Sequence, residues 1–307
     1  MLLGGAVSLW LFGVLSGIVD DNADSHSFFA RFLPSWVENV LSLGGYVAAA
    51  FLLNSFVIIE GRTPWLGGLF VWLAACCLLS HGNLVVALSL PLFLLLLAVL
   101  MACYVRVNVQ RWVYSAFSLL SAAALLLPQL LYLLPLYLLF ISMTGVLTFR
   151  NIMAALLGVA TPLWLLYGTA AVFLGSVTLG NEFLDALKGI FSFSFALPPL
   201  PLLLPMIIEA LVVIITTMVF SRSASPAKPL MRKIMVLFIC LNTYLWLLSW
   251  FLAGSAELLF FWRLPGVALF AAYIFSIKFT KFYNVLFIIF NIMWIAVALF
   301  NITIWIF

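Results

Sequence analysis

Charge is scarce in this sequence. Only 7% of its 307 residues are charged, whereas 67% are hydrophobic. A soluble domain carries about 25% charged residues, so this chain has too few polar side chains to cover a water-facing surface. The composition therefore excludes a soluble globular protein and predicts an integral membrane protein that has the lipid bilayer as its main partner. The basic residues are scattered, so the net charge of +4 predicts no nucleic-acid partner.

Motifs for catalysis and metal binding are also missing. The chain has two histidines and four cysteines, and no two cysteines have the C-x-x-C spacing. The dinucleotide-binding, P-loop, zinc-protease and nucleophile-elbow patterns are absent as well. All four cysteines fall in apolar segments, which favours small buried side chains over metal or redox ligands. The sequence therefore predicts no catalytic residue, no metal site and no cofactor, and it does not identify an enzyme.

Long apolar runs are what the sequence does contain. A helix that crosses a membrane needs about 20 mostly apolar residues, so charges, prolines and polar clusters divide the chain into candidate spans. Eleven result: 1–19, 41–59, 64–80, 84–104, 112–127, 130–149, 152–175, 203–221, 234–252, 258–277 and 283–305. We therefore predict an all-α fold, a polytopic transmembrane helical bundle of about eleven spans that forms one integral-membrane domain over residues 1–307.

The charges between the spans predict an orientation. With the N-terminus in the cytoplasm, most basic residues fall inside and most acidic residues outside, as the positive-inside rule requires. The inner basic residues are Arg62, Arg106, Arg111, Arg150, Arg222, Lys228, Arg232, Lys233, Lys278 and Lys281. The outer acidic residues are Asp20, Asp21, Asp24, Glu38, Glu182, Asp185 and Glu257, and the exceptions are Arg31, Lys188 and Glu60. This partition predicts a multi-pass protein of the cell inner (plasma) membrane with its C-terminus outside.

Prolines are expected to interrupt several spans. The segment "FSFSFALPPLPLLLP", residues 191–205, contains Pro198, Pro199, Pro201 and Pro205. Each proline removes a backbone hydrogen-bond donor, so we predict an interfacial or re-entrant segment near 191–205. Further helix breaks are predicted at Pro162 in the seventh span and at Pro265 in the tenth.

Two charged residues lie inside predicted spans. Glu209 is 13 residues from Arg222, and Arg263 is 15 residues from Lys278. At 1.5 Å per residue both lie about 20 Å from the inner boundary, so we predict that they face each other or share a polar cavity. Arg263 is also placed to donate to a carbonyl that Pro265 frees. The competing interpretations are that Arg263 snorkels from a helix beginning at Pro265, and that Glu209 is neutral or is a structural partner bonded to a neighbouring helix.

Amide and hydroxyl side chains form a second group of candidates. Asn54, Asn242, Asn284 and Asn291 lie in or beside spans two, nine and eleven, and Thr216 lies seven residues after Glu209. Residues seven apart share a helix face, which predicts polar faces on these helices. Hydrogen bonds between helices are one interpretation, and the lining of a transport pathway is the other.

One part of the chain resembles a known family. Residues 46–168 have Asn54 late in one span, an Arg150-Asn151 turn, and Gly158 with Thr161-Pro162 in the next helix. In these features the chain is similar to an uncharacterised family of bacterial polytopic inner-membrane proteins. That resemblance implies a membrane location and assigns no activity and no catalytic residues.

Three functional classes are compatible with these patterns. Short loops and missing catalytic motifs favour a structural or assembly subunit of a cell-envelope complex, whose partners would be other envelope membrane proteins. Glu209, Arg263 and the proline-rich region favour a transporter or flippase of a small or lipid-linked solute. A membrane-embedded glycan or lipid transferase is the third class, and it lacks the large polar outer loop that such enzymes usually have.

Overall fold

The computed structural model describes most of the chain. The described residues are 35–56, 66–77, 84–105, 108–143, 145–169, 188, 195, 197–198, 200–223, 229–252, 255–277 and 281–306. Within them the fold is all-helical, as predicted. The α-helices are α1 Ser35–Phe56, α2 Leu66–Cys76, α3 Leu84–Val105, α4 Val109–Leu126, α5 Leu134–Met143, α6 Phe149–Thr169, α7 Leu200–Ser223, α8 Pro229–Phe251, α9 Ala256–Ile277 and α10 Lys281–Ile306. A 3₁₀ helix, Pro128–Leu133, precedes α5.

Six of these helices, α3 and α6 to α10, are long and apolar enough to cross a membrane. Shorter apolar stretches occur at Val40–Ser55, Leu66–Cys76 and Pro128–Met143. These six helices make the chain compatible with a multi-pass membrane protein, but they do not confirm eleven spans. The first predicted span, 1–19, lies outside the described residues.

The proline-rich segment is more helical than predicted. Pro201 and Pro205 belong to α7, which begins at Leu200. Pro201 lies in the first turn, where a backbone N–H has no partner within the helix, so the missing donor costs little there. Pro198 precedes the helix, whereas Pro199 and residues 191–194 lie outside the described residues.

The helices also continue through the other two positions at which breaks were predicted. Pro162 lies inside α6, and Pro265 lies inside α9. A proline removes one bond of the helical ladder, and the turns on either side keep theirs. Within a packed membrane bundle such a loss is tolerated because neighbouring groups and small local adjustments satisfy the freed backbone. Pro162 and Pro265 are therefore positions within continuous helices and do not end them.

The chain divides into two compact units, with one boundary inside α3. One is drawn from Met1–Pro91 and Leu197–Phe307, and the other from Leu92–Ala196. In the second unit α4 packs along α6, with Gly158 close to the backbone of Tyr114. Ser121 Oγ donates to the Val159 carbonyl at 2.9 Å, which joins the same two helices.

Helix α9 is the centre of the first unit. It packs against α2, α7, α8 and α10, and every residue from Leu258 to Phe275 is buried. A helix that is apolar all round is expected inside a fold rather than at its surface. Trp262 of α9 donates through Nε1 to Ser89 Oγ of α3 at 3.0 Å. Any polar side chain on α9 must therefore be satisfied by protein.

Candidate functional site

The two intramembrane charges meet. Arg263 Nη2 of α9 lies 3.2 Å from Glu209 Oε2 of α7, and both side chains are almost completely buried. The depth comparison predicted that the two residues face each other, and the helices place them in contact. The atoms form an ion pair, although they are not aligned for a hydrogen bond. A functional role of this pair stays a prediction.

The surroundings of the pair are mainly apolar and aromatic. The Arg263 guanidinium lies 5.5 Å from the ring centroid of Phe260, a cation–π distance. Cys77, which directly follows α2, is buried and close enough to Glu209 to interact with it electrostatically. Glu209 Oε1 and the Nε and Nη1 atoms of Arg263 have no hydrogen-bond partner among the described residues. The opposite charge is therefore the main compensation that each residue receives.

Two of the alternatives for Arg263 do not agree with this geometry. Its side chain does not snorkel, because α9 begins at Ala256 and Arg263 is 0% exposed. Nor does it donate to a carbonyl freed by Pro265, since no guanidinium nitrogen makes a hydrogen bond within the described part of the chain. Both ideas assumed a helix boundary near Pro265, and the helix is continuous there.

Asn242 joins the site from α8. Its Nδ2 donates to the Phe238 carbonyl of its own helix at 2.9 Å, and the amide lies directly against Gly266 of α9. A Cβ atom at residue 266 would overlap that amide. Gly266 is three residues after Arg263 and therefore lies on the same side of α9. Sequence reasoning did not single out Gly266, although its spacing from Arg263 would have pointed to it.

A cavity of about 190 Å³ lies between α7 and α8, and Glu209 is part of its lining. The lining residues of this α7–α8 cavity are Glu209, Ala210, Val213, Ile214, Asn242, Thr243 and Trp246. Its wall is almost entirely carbon. Arg263 is not part of the lining. Glu209 and Arg263 therefore do not share this cavity, and the two side chains are in direct contact.

The other polar candidates do not converge on this site. Asn54 Oδ1 accepts a hydrogen bond of 2.9 Å from the Gly67 backbone N–H, so it caps the first turn of α2. Asn291 donates to the Phe287 carbonyl of its own helix at 2.8 Å, and Asn284 is exposed. Thr216 is buried and donates to the Val212 carbonyl. Of these candidates, only Asn54 makes the predicted bond between helices within the described residues.

Metal binding finds no support in the described residues. No group of three or more His, Cys, Asp or Glu side chains is arranged there to hold a metal ion. The chemistry that this site offers is one enclosed ion pair, one buried amide and an apolar cavity beside them.

Comparison with known proteins adds no family. The chain matches no protein-family model, no curated protein and no solved structure. The resemblance of residues 46–168 to a bacterial inner-membrane family therefore stays an expectation, and the site must be interpreted from its own geometry.

Proposed function

We propose that this chain is a structural or assembly subunit of a membrane complex of the cell envelope. The observation that carries the proposal is the enclosure of the Glu209–Arg263 pair at the centre of the first unit. The charged side chains of a transport site must be reachable from a water-filled cavity or from the lipid, so that a substrate can bind to them. Here Arg263 is 0% exposed and Glu209 1% exposed, as expected for charges that hold helices together.

The lipid-facing surface supports the same proposal. Large apolar side chains are exposed on α6, α7 and α10, among them Leu156, Trp164, Ile207, Ile288 and Ile292. A second cavity, of about 110 Å³, lies between α7, α9 and α10 and has an apolar lining that includes Leu211 and Phe290. A packed core with apolar grooves on its flank is the arrangement that favours an assembly subunit over a transporter.

The membrane and the orientation belong to this proposal. We place the chain in the inner (plasma) membrane of a bacterial cell, with about eleven spans, the N-terminus in the cytoplasm and the C-terminus outside. The charge distribution between the spans and the resemblance of residues 46–168 support this arrangement.

Site-specific photocrosslinking in native membranes tests the proposed role. A photoreactive amino acid is placed at Ile288 on α10 and, separately, at Leu156 on α6, both of which are exposed. We expect a discrete adduct with another envelope protein from at least one face, and co-purification of that protein with the unmodified chain. The same amino acid at buried Leu269 is the control and should give no intermolecular adduct. Lipid adducts alone, together with a monomeric purified chain, would contradict the assembly role.

A transporter or flippase is the alternative, and one observation favours it. Glu209 and Asn242 both line the α7–α8 cavity, so an acid and an amide lie near a space that a solute could enter. Transport measured in proteoliposomes separates the two roles. If the purified chain alone moves a solute or a lipid-linked glycan, and Asn242→Leu abolishes that movement, the alternative replaces the assembly role.

A further inference from the structure

The cavity between α7, α9 and α10 is a groove with an exposed rim. Every side chain that lines this α7–α10 groove is apolar. Its floor includes Ala271 of α9 and Phe290 of α10, which are buried. Its rim includes Leu211 and Ile215 of α7 and Ile289 of α10, which are exposed. A groove of carbon atoms that is accessible from the side fits a hydrocarbon chain.

The α7–α10 groove has the depth of one leaflet. On α7 its lining runs from 14 to 7 residues before Arg222, which is about 21 to 10 Å along the helix. On α10 its lining runs from 5 to 12 residues after Lys281, which is about 8 to 18 Å. Half of the hydrocarbon core of a bilayer is about 15 Å thick. The groove therefore spans the depth of the acyl chain of a single lipid.

Basic residues are concentrated at the shallow end of the groove. Arg222 is the second-last residue of α7, and Lys281 is the first residue of α10. Lys278 directly follows α9 in the sequence. Residues 210–307 contain a single acidic residue, Glu257, which lies in the first turn of α9 and so at the opposite end of that helix. This end of the groove therefore favours a negatively charged group.

The helical register of α7 connects the charge to the groove. Leu211 and Ile215 line the groove and precede Arg222 by 11 and 7 residues, which are close to three and two full turns. The three residues therefore share one face of α7, to within about 20°. An arginine binds phosphate oxygens in a bidentate manner. Basic sites between membrane helices are typical binding sites of anionic lipid headgroups.

We propose that the α7–α10 groove binds an anionic phospholipid. Its acyl chain lies over Ala271 between the rims of α7 and α10, and its phosphate binds at Arg222, where Lys278 and Lys281 add positive charge. The proposal does not rest on the assembly role of the chain, because a lipid in this groove leaves exposed Ile288 free for a partner.

Photolabelling of the full chain in lipid nanodiscs tests this site. The probes are a phosphatidylglycerol and a phosphatidylcholine that carry the same diazirine-containing acyl chain. Each basic residue near an anionic headgroup favours binding about fivefold, so we expect the phosphatidylglycerol probe to label peptides of α7 and α10 about tenfold more. Equal labelling by the two probes would overturn the proposal. A label spread evenly over all lipid-facing helices would also overturn it, because it reports bulk lipid.

One pair of variants tests the headgroup. Arg222→Gln should lower the preference for phosphatidylglycerol about fivefold, because it removes one positive charge at the groove. Arg150→Gln is the matched control, since Arg150 is an exposed arginine at the start of α6 and should leave the preference unchanged. Equal losses in the two variants would show that general surface charge attracts the probe, and the proposal would fail.

A second pair tests the acyl-chain site. Ile289→Trp adds bulk at the rim of the groove and should lower labelling by the phosphatidylglycerol probe several-fold. Ile288→Trp changes the next residue, which is exposed and is not part of the lining, and should retain the labelling. Equal labelling of these two variants would contradict occupation of the groove. The comparison of the two probes on the unmodified chain decides the question even where a variant is unstable.

Discussion

A buried arginine at the middle of a span is costly unless its charge is balanced. Insertion of an arginine at the centre of a membrane helix costs about 2.5–3.5 kcal/mol on biological insertion scales. Arg263 is balanced by Glu209 at 3.2 Å and by the ring of Phe260. At the scale of residues the pair therefore acts as one neutral unit, and each half depends on the other.

We expect Glu209→Gln to destabilise the protein by about 3 kcal/mol, because it leaves the Arg263 charge buried without a partner. The measurement is thermal or denaturant unfolding of the purified chain in nanodiscs. The double variant Glu209→Gln with Arg263→Met should recover most of the loss, since replacing both charges of a buried pair is often neutral. An unchanged stability in the single variant would show that the contact contributes little.

The contact between Gly266 and Asn242 gives a second prediction at this scale. Gly266→Ala places a Cβ atom on the Asn242 amide, so α8 or the side chain must shift, at a cost of about 1–3 kcal/mol. Gly44→Ala in α1 is the matched control, because nothing lies within 4 Å of its added Cβ, and alanine is the better helix former. Equal effects of the two substitutions on unfolding would contradict close packing at Gly266.

The ion pair was accessible to sequence reasoning, whereas the contacts around it were not. The constant rise of a helix converts the spacing of Glu209 and Arg263 from flanking charges into depth. Depth does not tell which side of one helix faces another. The Asn242–Gly266 contact depends on that rotation, and so does the bond from Gly67 to Asn54, so neither could be derived from the sequence alone.

At the scale of elements, α2 is a short helix whose first turn depends on a side chain of another helix. It has 11 residues, about 16 Å of helix, which is well short of the roughly 30 Å hydrocarbon core. Its first turn is capped by Asn54 of α1 through the Gly67 N–H. A short helix gains little stability of its own, so its start relies on this side chain.

We therefore expect Asn54→Leu to weaken the first turn of α2 by about 1 kcal/mol, the usual value of a lost cap. Faster amide hydrogen exchange in the peptide that contains Gly67 is the measurement. Asn54→Asp keeps an acceptor, so the peptide that contains Gly67 should still exchange slowly in this variant. Ser55→Ala removes a bond within α1 and serves as the control. Unchanged exchange in Asn54→Leu would rule out the capping role.

The extents of the helices show what a rule based on apolar runs can predict. Each described helix lies at a predicted span, yet α8 begins at Pro229 rather than 234, and α7 at Leu200 rather than 203. The rule ended spans at charges and prolines. Helix α8 includes Arg232 and Lys233, since a helix can extend beyond the lipid into water. Helix α7 includes Pro201, since the first turn of a helix needs no backbone donor.

At the scale of the whole molecule, the number of spans depends on helix length as well as on apolar composition. Apolar runs can be counted in the sequence, but crossing also requires length, and α2 and α5 are short. The charge pattern predicts on which side of the membrane each loop lies, independently of the lengths of the helices. An experiment on loops therefore tests the predicted topology directly.

Cysteine labelling provides that experiment. We expect Lys188→Cys to react with a membrane-impermeant maleimide in intact cells, because residue 188 is predicted outside and is exposed. Arg150→Cys and Arg232→Cys, exposed and predicted inside, should react only after permeabilisation. The parent chain controls for its native cysteines, of which Cys76, Cys77 and Cys103 are buried. Labelling of all three sites in intact cells would contradict the predicted orientation.

The burial of α9 from Leu258 to Phe275 has a consequence for biogenesis. A helix made early can remain against lipid until its neighbours arrive, but α9 has no lipid-facing side in the finished unit. Its partners α2, α7 and α8 leave the ribosome first, and α10 follows. The carboxylate that Arg263 needs is thus already in the membrane when the arginine emerges. Insertion of α10 then completes the packing around α9, so these helices pack in the order in which they are synthesised.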